Sequence, residues 1–147
     1  MGRARVAAEL PGTALAAEQR WRDPASWGGF VDGFDRVVSL DPAWPEPGAS
    51  VTWDSHAGGR GRVTERVVEH EPGRLFVTAT SDPELEGTQR VAFADLRLGV
   101  VRVALELDYR LVNNGPLMLV VDPLFVRRAI RDSQRRTLDR LAAELTP

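Results

Sequence analysis

A single change of hydrophobic period in the last third of the chain decides its fold class. From Val101 to Leu111 every second residue is apolar, through Val103, Leu105, Leu107 and Tyr109, with Arg102, Glu106, Asp108 and Arg110 between them. That alternation predicts an antiparallel strand, buried on one face and wet on the other. From Val126 the repeat becomes three or four, through Ile130, Ser133, Thr137, Leu141 and Leu145, the spacing of one helical face. Asp122 before Pro123 supplies the start: a side-chain acceptor at the N-cap, then a residue that needs no N–H in the first turn. A helix over Pro123–Leu145 behind a run of strands predicts an α+β chain whose sheet and helix share one core.

The earlier chain supplies the rest of the sheet. Period-two or β-branched stretches predict strands at residues 3–10, 34–40, 49–56, 62–70, 74–81, 85–94 and 100–111. Pro11-Gly12 breaks the first, and Thr13 caps a short helix from Ala14 to Arg22. Asp23-Pro24 opens a second short helix across Ala25, Ser26 and Trp27, which Gly28-Gly29 ends. Prolines keep residues 41–48 out of any interior strand, residues 57–61 form a flexible hairpin, and Glu71-Pro72-Gly73 is a turn. Asn113-Asn114-Gly115-Pro116 stops the last strand, and the apolar run 117–121 is too short to assign. With no repeat and no shift of composition, residues 1–147 are expected to form one domain.

Composition removes several function classes. Hydrophobic content of 43% and charged content of 27% fit an ordinary globular protein, and a net charge of −2 gives no general attraction to nucleic acid. No window is long and apolar enough to span a bilayer, and the basic start meets Glu9 too soon for a signal peptide, so a cytoplasmic location is expected. The absence of cysteine removes disulfides, thiolate metal sites and a cysteine nucleophile. Every basic residue is arginine, which reads as coding bias and removes a lysine Schiff base and a P-loop lysine. On the last helix Arg128, Arg131 and Arg135 alternate with Asp132 and Asp139, a pattern of a self-paired solvated face rather than of RNA binding. His56 and His70 lack acidic or histidine neighbours at ligand spacing, so no metal or other cofactor is expected.

The order of strand, two short helices, six strands and long terminal helix resembles the helix-grip fold of the START/Bet v 1-like (SRPBCC) superfamily. Three stretches carry the likeness: residues 21–27 where the helix pair sits, residues 67–75 as the hairpin after the fourth strand, and residues 125–141 as the terminal helix. Within the superfamily the chain is most similar to the bacterial polyketide cyclase/dehydrase-like group. The resemblance implies a curved seven-stranded antiparallel sheet gripping the last helix, with an apolar cavity between them for a small hydrophobic or amphipathic molecule. Lipids, polyketide intermediates and isoprenoids are the expected guests.

The cavity so implied selects candidate residues. Trp27 and Phe30 lie on or just after the small helices that would close one end. Trp53 shares strand parity with Val51, and Gln89 shares it with Val91 and Phe93. Leu105, Leu107 and Tyr109 would face the helix, which answers with Ile130, Ser133 and Thr137, the last two small enough to leave room. Tyr109 and Glu65 are the candidates for acid–base work: Tyr109 as a buried phenol, Glu65 as a carboxylate on the parity of Val63 and Val67. Three readings follow. The first is a module that binds a small hydrophobic molecule; the second is a cyclase, aromatase or dehydrase using the same cavity; the third is a lipid or quinone carrier working with a partner protein. Nucleic acid and stable membrane insertion are not expected, and the oligomeric state is left open.

Overall fold

The computed structural model describes residues 1–112 and 122–147; the stop at Asn113–Pro116 and the run 117–121 lie outside the described residues. Strand β1 (Gly2–Pro11) is followed by helix α1 (Ala14–Arg22) and a 3₁₀ helix (Pro24–Gly29). Six strands come next: β2 (Phe34–Leu40), β3 (Ser50–Ser55), β4 (Arg62–Glu71), β5 (Leu75–Ser81), β6 (Leu85–Arg97) and β7 (Val100–Leu111). Helix α2 (Pro123–Leu145) closes the chain. The strands form one curved antiparallel sheet in the order β1-β7-β6-β5-β4-β3-β2, so hairpins connect β2 through β7 and only β1 is placed out of sequence, beside β7. This is the helix-grip arrangement.

Local chemistry sets the element ends. The Thr13 hydroxyl accepts the Ala16 N–H at 3.1 Å, Asp23 accepts from Ala25 at 3.1 Å, and Asp122 accepts from Leu124 at 2.9 Å, so all three helices begin on side-chain caps. β6 runs three residues past the expected Ala94, with a register shift between Asp95 and Arg97. The Asp95 carboxylate there accepts the Ala14 N–H at 2.8 Å, so the irregular end of β6 helps to hold the first turn of α1. The turn between β4 and β5 closes through the Arg74 N–H to the Glu71 carbonyl at 3.0 Å, with Pro72 and a positive-φ Gly73 at its centre.

On β4 and β7 burial follows strand parity closely. On β4, Val63, Glu65 and Val67 point inward; on β7, Val101, Val103, Leu105, Leu107 and Tyr109 do so. The main core joins these rows to α1, the 3₁₀ helix and the last turns of α2. A smaller cluster of Ala4, Leu85, Leu107 and Tyr109 packs against Val126 and Ile130. α2 is thus divided. Gln134, Thr137, Leu138 and Leu141 are buried, whereas in the preceding turns Val126 and Ile130 are only half-buried.

β2 is different. Its pairing with β3 carries two register shifts, and Val37, Val38 and Leu40 are exposed. At the opposite side of the sheet α2 crosses β1, where Gln134 Nε2 donates to the Ala4 carbonyl at 3.1 Å. Among the described residues no helix is long and apolar enough to cross a membrane.

Candidate functional site

A cavity of about 550 Å³ opens between the concave face of the sheet and the first half of α2. Its apolar wall comes from Trp21, Trp27 and Trp53 at one side and from Leu105, Leu107 and Ile130 at the other. This volume lies within the usual range for small-molecule sites, which are largely apolar with a few placed polar groups.

Glu65 is the central polar group. Its position on β4 turns it inward between two valines, and the side chain is 7% exposed. The indole N–H of Trp53 donates to Oε2 at 2.7 Å and the Thr78 hydroxyl to Oε1 at 3.1 Å. Both donors sit on the strands flanking β4, each two positions from the residue paired with Glu65, Trp53 from Val51 on β3 and Thr78 from Thr80 on β5. None of the ion pairs among the described residues includes Glu65. The carboxylate is held in place by two neutral donors.

A second polar set lies where residues 57–61 meet the β5–β6 connection. Arg60 donates through Nε to Asp82 Oδ2 at 2.8 Å and through Nη2 to Thr80 at 3.1 Å, and its guanidinium lies 5.8 Å from the Trp53 ring centroid. Asp82 Oδ1 accepts the backbone N–H groups of Glu84 and Leu85. The glycine-rich hairpin, read from sequence as flexible, therefore delivers an arginine to the cavity wall.

The third set belongs to α2. Ser133 donates to Asp32 Oδ2 at 2.7 Å, and Thr137 accepts the Asp32 N–H at 3.0 Å. Arg136 and Arg140 reach the same carboxylate at 3.0 and 3.2 Å. Ser133 and Thr137 thus do more than leave room; they fasten the segment after the 3₁₀ helix to the roof. Among the described residues the ion pairs of α2 run to Asp32 and from Arg20 to Glu144 rather than along its Arg128–Asp132–Arg135 face. Burial opposes ionisation of Asp32, but hydrogen bonds from Arg136 and Ser133, with the charges of Arg136 and Arg140, hold its pKa below the ordinary carboxylate range. A depressed folded-state pKa contributes stability that is present above the unfolded value of about 4 and is lost as pH falls through the folded value. Asp32→Asn should therefore cost about 1–2 kcal/mol at neutral pH, modest because both guanidinia are half exposed. The difference from the parent should shrink below about pH 4. Urea denaturation across that window measures it, and a difference that stays constant with pH would remove Asp32 from the account.

The expected lining residues divide into two groups. Trp27, Trp53, Gln89, Leu105, Leu107, Ile130, Ser133 and Thr137 line the cavity, and so does Glu65. Phe30, Val91, Phe93 and Tyr109 are placed elsewhere. Phe30, Val91 and Phe93 are buried in the main core, where Phe30 stacks against Trp21 at 5.6 Å. Tyr109 packs in the smaller cluster, its ring so close over Gly2 that even an added Cβ would run into it. Arg60, Asp82, Glu84 and Gln134 line the cavity without having been expected. Only Gln134 left a signal in the sequence, since it shares a helical stripe with Thr137, Leu138 and Leu141.

The remaining aromatic and titratable groups build the support. Trp27 donates its indole N–H to the Trp21 carbonyl at 2.7 Å and meets Phe34, Trp44 and Trp53 edge-on at 6.0–6.4 Å. Trp44, from the proline-rich loop, donates to the Arg22 carbonyl at 2.7 Å. His70 sits 3.2 Å from a fully buried Glu18, which also accepts the Gly73 N–H at 2.8 Å. His56 lies at 3.9 Å from Asp35.

Comparison with known proteins agrees with this architecture. The family described as polyketide cyclase / dehydrase and lipid transport matches residues 1–146. No curated protein matches the sequence. Among solved structures, an aromatase/cyclase of a Streptomyces species, Zhui, superposes with a TM-score of 0.77 at 13% identity, over 98% of this chain and 93% of its own. A START superfamily protein of Mycobacterium smegmatis gives 0.76 at 11%, over 97% and 96%. A protein of Chromobacterium violaceum gives 0.74 at 14%, over 100% and 99%.

Proposed function

We propose, because the chain belongs to the polyketide cyclase/dehydrase and lipid-transport family, that it binds a small, largely apolar molecule between its sheet and α2. The observation that carries this reading is the cavity itself: about 550 Å³, walled by three indoles and aliphatic side chains, with Glu65 set among them. Each ring of a ligand buried on such a wall contributes about 1.5–3 kcal/mol, which supports micromolar binding for a molecule of two or three rings. Native mass spectrometry of the protein purified from its own host should show a co-purifying small molecule. Titration with naphthol should quench the emission of the cavity tryptophans with one-site saturation. A protein that is empty from its host and does not respond to naphthol is not a ligand-binding module.

The enzyme reading draws its support from Glu65. A carboxylate in an apolar cavity, oriented by Trp53 and Thr78, is positioned to take a proton from a carbon acid during ring closure or dehydration. Similarity to the Zhui aromatase/cyclase gives that reading its substrate class. It expects Glu65→Gln to lose turnover of a polyketide-like substrate while retaining the bound molecule.

A further inference from the structure

The polar lining of the cavity is unequally supplied with donors and acceptors. Several donors in and beside the cavity are already spent on the protein; the Gln89 amide and the Trp21 indole N–H, on the wall, are not among them. The Trp53 N–H and the Thr78 hydroxyl both point at Glu65, Arg60 Nε is bound to Asp82, the Ser133 hydroxyl to Asp32, and the Gln134 amide N–H to the Ala4 carbonyl. Glu65 and Gln134 keep acceptor capacity. Each Glu65 oxygen accepts one bond where it has capacity for two. Gln134 Oε1 is buried with no partner, an acceptor that the fold leaves unsatisfied.

Charge points the same way. Among the described residues four carboxyl groups line the cavity, those of Asp32, Glu65, Asp82 and Glu84, against one guanidinium, that of Arg60. Asp82 is neutralised by Arg60, and Asp32 by Arg136 and Arg140. Among the described residues no ion pair includes Glu65 or Glu84. A ligand entering this site meets Glu65 behind low-dielectric walls with no cation paired to it among the described residues, whereas Glu84 is exposed to solvent, so charge interactions are amplified at Glu65.

We infer that the ligand carries its polar end as a hydrogen-bond donor without negative charge, an ammonium or a hydroxyl seated against Glu65, and that carboxylates and phosphates are rejected. This rests on the binding reading above and narrows it. Ionised fatty acids and acidic lipid headgroups bring acceptors to Glu65, which calls for donors, and they bring like charge. An amine on an aromatic or aliphatic body satisfies Glu65 and removes the charge imbalance, and a phenol or alcohol satisfies Glu65 without the Coulomb gain.

The experiment uses three naphthalene probes of equal bulk, the aminomethyl compound, the hydroxyl compound and the carboxylate, titrated into the full chain at neutral pH with tryptophan emission as the readout. The amine should bind at least about tenfold tighter than the carboxylate, the ratio that about 1.4 kcal/mol of differential interaction produces. Naphthol should fall between them. Glu65→Gln, which keeps the shape and an acceptor but removes the charge, should reduce the amine-to-carboxylate ratio severalfold while changing naphthol least. A carboxylate that binds as tightly as the amine overturns the inference, as does a ratio unmoved by Glu65→Gln. If that variant does not fold, the ratio on the unmodified protein decides alone. Failure of all three probes, naphthol included, counts against the cavity as a binding site, an outcome distinct from a wrong order of affinities.

Discussion

Replacing Glu18 by alanine should lower the unfolding free energy by about 3–5 kcal/mol, the cost of removing a buried carboxyl group that a backbone N–H, an imidazole and a guanidinium share. Glu18 is 0% exposed, on the face of α1 that meets the β4–β5 turn. Its carboxylate accepts the Gly73 N–H, lies 3.2 Å from His70 Nε2, and has Arg22 at 3.6 Å. Alanine would leave the Gly73 donor and the imidazole with no counterpart in a packed corner, where His70 also rests edge-on against Phe76. Glu18→Gln keeps an acceptor for Gly73 and should recover part of the loss. Guanidinium denaturation of both variants, with His70→Ala to complete a double-mutant cycle, reads the coupling directly. A loss below about 1 kcal/mol for Glu18→Ala would mean that packing alone fastens α1. Because α1 also carries Trp21 into the cavity wall, the same variant should weaken naphthol binding without touching the ligand.

Ala129→Trp should produce the opposite result, a large loss of binding at nearly constant stability. Ala129 lines the cavity from α2 yet is exposed, so a larger side chain displaces no core residue. Naphthol affinity should fall by about 100-fold, which corresponds to the ~3 kcal/mol upper range for burying one apolar group. Stability should change by no more than about 1 kcal/mol, the helix-propensity difference between the two residues. Unchanged binding would show that the probe does not enter between α2 and the sheet.

The fold was legible because its signals are local. Strand parity needs only neighbours two apart, and it indicated the inward faces of β6 and β7; for Glu65 on β4 and Trp53 on β3 it left the face open, and the structure turns both inward. The caps at Thr13, Asp23 and Asp122 are equally local and gave both ends of α1 and the start of α2. The site was only partly legible, because parity specifies a face and not a depth along it. On β6, Gln89, Val91 and Phe93 share one face, but the cavity underlies the Gln89 end and solid core the Val91 and Phe93 end. Glu18 with His70, 52 residues apart, and Asp32 with Arg140, 108 apart, are joined only by the closing of the sheet around α2. No spacing in the sequence announces such pairs. Arg60 was hidden for a simpler reason: its glycine neighbours explain the turn completely and say nothing of where the one long side chain goes.

The two register shifts in β2 bear on how copies of this chain meet one another. A sheet grows by templating, each new strand needing an evenly spaced row of free N–H and C=O groups along the margin it joins. On the β1 margin that row is obstructed by a helix, with Gln134 occupying the Ala4 carbonyl. On the β2 margin it is unevenly spaced, because the strand slips against β3 at Phe34/Arg36 and again at Val37/Ser39. Val37, Val38 and Leu40 are apolar and exposed there, the composition that would favour runaway polymerisation on a straight strand. The misregistration acts as a growth stop: another chain would have to straighten β2 before it could add to it.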